Sequence, residues 1–157
     1  MRIGLISDTH GLLRPEALDY LAGSDHIVHG GDIGNPAILE RLAAIAPLTV
    51  VRGNNDAAAW ADAIPATARL ALGGVSVYVI HDLKELAIDP AALGVRVVVS
   101  GHSHKPSCVE RGGVLYVNPG SAGRRRFTLP IAAGELLVED GQVSARLVTL
   151  RDNSSMA

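Results

Sequence analysis

A single cysteine, Cys108, stands in a chain of 157 residues, so no disulfide can form within it. That excludes a cross-linked secreted scaffold and fits a reducing cytoplasm, the expected location. Aromatic residues make up only 3% of the chain, with one Trp and one Phe. Val, Leu, Ile and Ala must therefore fill the core, and a stacking groove for single-stranded nucleic acid has too few rings to be built. A surplus of positive charge is missing as well: 14 Lys and Arg stand against 16 Asp and Glu, a net charge of −2. Nucleic acid and anionic membrane are not expected partners of such a chain. No apolar run approaches the ~18 residues of a membrane span. The opening MRIGLISDTH is too short in its apolar part, and too polar at its end, to read as a secretion signal.

What is present is a hydrophobic content of 48% with 19% charged residues, the balance of a globular domain. The length suits one domain over residues 1–150, followed by a polar, frayed tail at 151–157. RIGLIS (2–7), HIVHG (26–30) and LTVVR (48–52) read as buried strands. Between them lie two short helices, one from Pro15 to Leu21 and one over PAILERLAAIA (36–46), the latter with Asn35 as N-cap. This alternation predicts parallel strands. The second half changes to hairpins, turning at Gly73-Gly74, Gly112-Gly113 and Asp140-Gly141, with VRVVVS (95–100) as a further buried strand. About nine or ten strands with few helices exceed one small doubly wound sheet. Two stacked mixed sheets flanked by helices, an α/β fold, are expected.

The polar residues gather at strand ends. Asp8-Thr9-His10 follows the first strand, Gly31-Asp32 the second and Gly53-Asn54-Asn55-Asp56 the third. His81-Asp82 follows VSVYVI, Gly101-His102-Ser103-His104 follows VRVVVS, and Asn118-Pro119-Gly120-Ser121 follows VLYV. Singly, each is a fair turn or a satisfied histidine. Repetition of one chemistry at so many strand ends is not, and loops at the carboxyl ends of strands are where α/β proteins build sites. Two histidines at i, i+2 in extended chain also point to one side, which predicts a shared orientation for His102 and His104. His26 and His29, at the edges of the second strand, are expected to be structural.

Asp8, His10, Asp32, Asn54, His81, His102 and His104 form a nitrogen-and-oxygen donor set without sulfur. Such donors suit Mn, Fe, Ni, Co or Zn, with Mn the expected ion, and do not suit a thiolate structural zinc site. Seven donors are too many for one such ion that keeps water, and fit two ions sharing a carboxylate. Two ions about 3.5–4 Å apart can hold a hydroxide between them and grip both free oxygens of a phosphoryl group.

The ordered series Asp-x-His, Gly-Asp, Gly-Asn-x-Asp, His and Gly-His-x-His, running from Asp8 to His104, resembles the signature of the calcineurin-like metallophosphoesterases, in particular their small single-domain bacterial and archaeal phosphodiesterases. The resemblance implies a four-layer αββα sandwich. It also implies that Asp8, His10, Asp32 and His104 hold one ion, that Asp32, Asn54, His81 and His102 hold the other, and that Asp32 bridges. This chain departs from many relatives at two places. Asn55 stands where they have a proton-donating His, and Asp82 follows the metal-binding His81 where they have Gly-His.

These readings lead to hydrolysis of a small phosphodiester by the hydroxide between two divalent ions, with Asn54, Asn55 and His102 as candidate catalytic residues and Asn55 orienting the phosphate. An amide is no general acid near neutral pH, so good leaving groups should react best. Two other readings are a protein-binding scaffold with a vestigial site, against which the complete ligand set speaks, and a metal-dependent nuclease, against which the acidic balance speaks. Exposed strand edges leave room for a homodimer. The run Arg124-Arg125-Arg126 is either a solvated loop or a patch for a phosphate or another subunit.

Overall fold

The computed structural model describes residues 1–126 and 128–150; the tail expected at 151–157 lies outside the described residues. The first third alternates as the pattern predicts: β1 (Arg2–Ile6), α1 (Pro15–Leu21), β2 (His26–His29), α2 (Pro36–Ala43) and β3 (Leu48–Val50). The strands that follow are β4 (Thr67–Leu72), β5 (Val75–Ile80), β6 (Val97–Val99), β7 (Ser107–Arg111), β8 (Val114–Asn118), β9 (Ala132–Glu139) and β10 (Gln142–Thr149).

They form two five-stranded sheets, ordered β10-β9-β1-β2-β3 and β4-β5-β6-β8-β7. In the first sheet β1, β2 and β3 are parallel, and β9 joins β1 antiparallel. In the second, β5, β6 and β8 are parallel, with β4 and β7 antiparallel at the edges. All three predicted hairpins form. Gly73 and Gly74 both take positive φ, +58° and +82°, the requirement of a two-residue turn that follows the strand twist.

The sheets meet face to face over Ile3, Leu5, Val28, Val77, Val97 and Leu136. β6 is buried throughout because it is apolar on both faces: Val97 and Val99 enter the space between the sheets, and Val98 packs on the far side with Tyr78 and Leu83. Full burial of each such side chain contributes roughly 1.5–3 kcal/mol. Both α-helices lie on the outer face of the first sheet, where Ala17, Leu21, Ile38 and Leu42 pack against Ile6, Ile27 and Ala133. Over the second sheet the outer layer is thin, with Leu83 and Leu86 around the 3-10 turn Leu83–Glu85 covering Ile80, Val95 and Val98.

Asn35 caps α2 as expected, its Oδ1 accepting from the Ala37 N–H at 2.9 Å. The helix stops at Ala43, short of the predicted 46. Its end tightens through an Ile45 N–H bond to the Leu42 carbonyl, and Pro47 disfavours helical backbone just before it. His26 is structural, its Nε2 lying 2.8 Å from Thr49 Oγ1 on the neighbouring strand. No helix among the described residues is long and apolar enough to cross a membrane.

Candidate metal centre

All seven predicted donors meet at one end of the sandwich. Asp8, His10, Asp32 and Asn54 arrive from the loops after β1, β2 and β3; His81, His102 and His104 arrive from the second sheet, after β5 and β6. Asp8 Oδ1 lies 3.4 Å from His104 Nε2, 3.8 Å from His10 Nε2 and 3.9 Å from His81 Nε2. Asp32 Oδ2 lies 3.2 Å from His81 Nε2 and 3.7 Å from His10 Nε2. Asn54 Oδ1 faces His81 Nε2 at 3.1 Å and His102 Nδ1 at 3.2 Å. Asp32 Oδ2 thus lies between His10 and His81, as Asp8 Oδ1 does between His10, His81 and His104.

The polar bookkeeping calls for a cation. Asp8 Oδ2 is satisfied by the Ser7 hydroxyl at 2.7 Å and the His102 N–H at 3.1 Å. Asp8 Oδ1 is buried with no hydrogen-bond partner among the described residues, although a buried acceptor left unpaired costs about 1–3 kcal/mol. His81 Nδ1 lies 2.7 Å from the Gly30 carbonyl, to which it must donate. Its Nε2 is then a lone pair facing the oxygens of Asp32 and Asn54, an arrangement stable only with a cation or a proton between them. Two groups of carboxylate and imidazole atoms are close enough to bind an ion: Asp8, His10 and His104, and Asp8, Asp32 and His81. Asn54 brings His102 to the second group. The donor set fits divalent ions.

The titration behaviour follows the same crowding. Burial pushes Asp8 up, opposed by its bond from Ser7 and by the histidines. Burial also acts to raise Asp32, but bonding to His81 and to the Asn55 N–H outweighs it and brings the carboxyl down to about 2. Burial opposes a charge on His81, yet bonding to Asp32 and the Gly30 carbonyl raises it to about 9. In the metal-free protein a proton on His81 takes the place of positive charge the site is built to hold.

The backbone is strained where the ligands sit. Asp8, His10, Asp32, His102 and His104 have φ of 55°, 46°, 55°, 70° and 63°. Positive φ outside glycine is uncommon and collects at functional sites. Among the described residues the only other non-glycine case is Asp140, in a hairpin turn. This corrects the expectation of extended chain at 102–104. The chain reverses after β6, Ser103 N–H bonding the Gly101 carbonyl at 2.8 Å, so His102 turns to Asn54 and His104 to Asp8. Ser103 points elsewhere, its Oγ accepting from Asn118 Nδ2 at 3.1 Å. Gly53 is required by closeness, since a Cβ there would overlap the Asp32 carboxylate.

Asn55 lies against the Asp32 carboxylate. Its N–H donates to Asp32 Oδ1 at 2.9 Å and its Nδ2 to Asp32 Oδ2 at 3.1 Å. Asn55 thus braces the Asp32 carboxylate through its backbone and its side chain. The sequence reading missed Asp56, taking it for part of a turn. It is buried and accepts from Ile33 N (2.9 Å), Gly34 N (3.2 Å) and Gly53 N (2.9 Å), pinning the loops after β2 and β3 together. A carboxylate three residues after the Gly53 turn was the signal available. The Asn118–Ser121 loop is also structural: Asn118 Nδ2 donates to the Gly101 carbonyl at 2.9 Å, and Ser121 Oγ donates to the Asp8 carbonyl at 3.0 Å.

The arginine run is exposed and starts at the rim, where Arg14 Nε donates to the Gly123 carbonyl at 3.1 Å. Burial, and to a lesser extent Arg126, disfavour charge on His104. Two cavities open beside the second group of ligands. One, of about 400 Å³, is bounded by Arg52, Asn54, His81 and Asp82. The other, of about 430 Å³, is bounded by Asp82, His102, Ser103 and Asn118.

The model of the calcineurin-like phosphoesterase superfamily domain matches residues 1–141. A probable metallophosphoesterase of Methanocaldococcus jannaschii is 32% identical, over 97% of this chain and 83% of its own length. Vps29 of Chaetomium thermophilum superposes with a TM-score of 0.76 at 20% identity, over 96% of each chain. Yfce, a phosphoesterase from E. coli, superposes at 0.69 with 23% identity, over 96% of this chain and 100% of that one. At these identities the two structures carry the fold alone.

Proposed function

The chain belongs to the calcineurin-like phosphoesterase superfamily, and from that premise we propose that it is a phosphodiesterase dependent on two divalent metal ions, Mn²⁺ foremost. The observation that carries the proposal is the convergence of seven nitrogen and oxygen donors around an orphaned carboxylate oxygen at Asp8. Asp8, His10, Asp32 and His104 would hold one ion, and Asp32, Asn54, His81 and His102 the other. When bound, the ions supply Lewis acidity to the phosphoryl oxygens and lower the pKa of water.

The protein's own groups set the preference for a diester. Asn55 holds Asp32 in place and leaves the position without a proton donor. A poor leaving group would need that proton; a phenolate does not. Asp82 lines both cavities, and its negative charge disfavours a dianionic monoester more than a monoanionic diester. The two cavities, of about 400 and 430 Å³, give each ester arm its own space.

The test is a substrate panel with added Mn²⁺ or Ni²⁺. Activated aryl phosphodiesters should turn over, alkyl monoesters should be poor, and EDTA should abolish activity. Activity indifferent to EDTA, or a preference for unactivated monoesters, overturns the proposal. A chain that binds no divalent ion and hydrolyses nothing in the panel would leave the scaffold reading in its place.

A further inference from the structure

We propose that Asp82 is a positioning residue for His102, holding the outer nitrogen of that ring so that the inner one meets the second metal ion. The inference rests on the dinuclear reading above and deepens it. His102 presents Nδ1 to the site, 3.2 Å from Asn54 Oδ1, and its ring stands edge-on to His81 at 82° with centroids 5.3 Å apart. An imidazole that binds a cation through Nδ1 carries its proton on Nε2. That nitrogen faces Asp82 Oδ2 at 3.7 Å, ~0.5 Å beyond the hydrogen-bonding range.

The need for a partner differs among the histidines. His81 has the Gly30 carbonyl on its outer nitrogen. Among the described residues His102 has no such carbonyl, and its side chain is 42% exposed. Asp82 is itself anchored. Its Oδ1 accepts from the Lys84 N–H at 3.0 Å, capping the 3-10 turn, and the loops are tied by a Gly101 N–H bond to the His81 carbonyl at 2.9 Å. One carboxylate oxygen therefore serves the turn and the other is left for His102. Ligating histidines commonly donate their second N–H to a carboxylate, and loss of that partner weakens metal binding about 10–100-fold.

Asp82→Asn separates the two duties, because an amide oxygen caps the turn equally well but leaves an NH₂ group toward His102. The experiment is calorimetric titration of Mn²⁺ into the metal-free full chain, for the wild type, Asp82→Asn and Asp82→Ala, with melting of each metal-free protein. The wild type should take up two equivalents. Asp82→Asn should lose at least about 10-fold in affinity for one equivalent, keep the other, and melt like the wild type without metal. Unchanged affinity for both equivalents in Asp82→Asn overturns the proposal. So does a metal-free melting loss in Asp82→Asn equal to that in Asp82→Ala, which would make the residue merely structural. Fewer than two equivalents in the wild type overturns the dinuclear reading beneath it.

Discussion

The two sheets give the site unlike halves. The first sheet supplies every oxygen donor, Asp8, Asp32 and Asn54, and only one imidazole, His10; the second supplies His81, His102 and His104 and no oxygen. The oxygen half is braced from within its own sheet, with Asp32 held by Asn55 and the loops after β2 and β3 held by Asp56. The imidazole half reaches across: His81 bonds the Gly30 carbonyl of the first sheet, and the His102 N–H bonds Asp8. Each of the two candidate ligand groups draws on both halves: His104 joins Asp8 and His10, and His81 joins Asp8 and Asp32. The apolar interface between the sheets is what brings them together.

The largest effect should come from breaking the oxygen half at its centre. Asp32→Asn keeps the shape and removes the charge of the carboxylate proposed to bridge the two ions. Turnover of an aryl phosphodiester should fall at least about 10²–10³-fold, the scale of losing one preorganised electrostatic group. Metal analysis should show fewer than two ions. A variant with two ions and near-normal rate would mean that Asp32 does not link the halves.

A site that spans both sheets also couples metal to folding. An ion that binds only the assembled sandwich, at ~100 times its Kd, adds about 2.7 kcal/mol. For a domain of this size that is roughly 5–10 °C in Tm for each ion. Thermal melts with and without Mn²⁺ should show the rise in the wild type and lose much of it in His81→Ala. A rise that survives in full would mean that His81 holds no ion.

The oxygen half was the more legible in sequence, and the reason is local. Asp8, Asp32 and Asn54 each stand a few residues beyond an apolar run whose end marks the strand, so residue order alone locates them. The pairing of the second sheet's histidines was not local. His102 and His104 themselves take left-handed backbone, whereas a reading based on extended chain points both the same way. Asp56 escaped because its partners, Ile33 and Gly34, lie in another loop. The thin layer over the second sheet was hidden too, since Leu83 and Leu86 show no helical period.

The smallest expected effect contrasts two histidines at strand ends. Burial forces His29 down to about 3, whereas Asp32 helps raise His81 to about 9. His29 is fully enclosed and belongs to the first sheet's own bracing. Its Nδ1 accepts from the Gly31 N–H at 3.0 Å, and its Nε2 therefore donates to Thr9 Oγ1 at 3.1 Å, which passes the chain on to the Ile33 carbonyl at 2.9 Å. The folded state refuses a proton that the unfolded chain accepts near pH 6.5, so stability is complete above that pH and is lost as pH falls from about 6.5 towards 3. His29→Gln keeps one donor and one acceptor without the titration. Near pH 7 the metal-free variant should be less stable by about 1 kcal/mol, for imperfect bonds. The difference should shrink on acidification and change sign between about pH 5 and 6, once the protonation penalty of the wild type exceeds that loss. Denaturant titrations of both metal-free proteins across that range measure it. A difference constant with pH would mean that His29 takes up its proton within the fold, and that the first sheet's bracing is less tightly closed than its geometry describes.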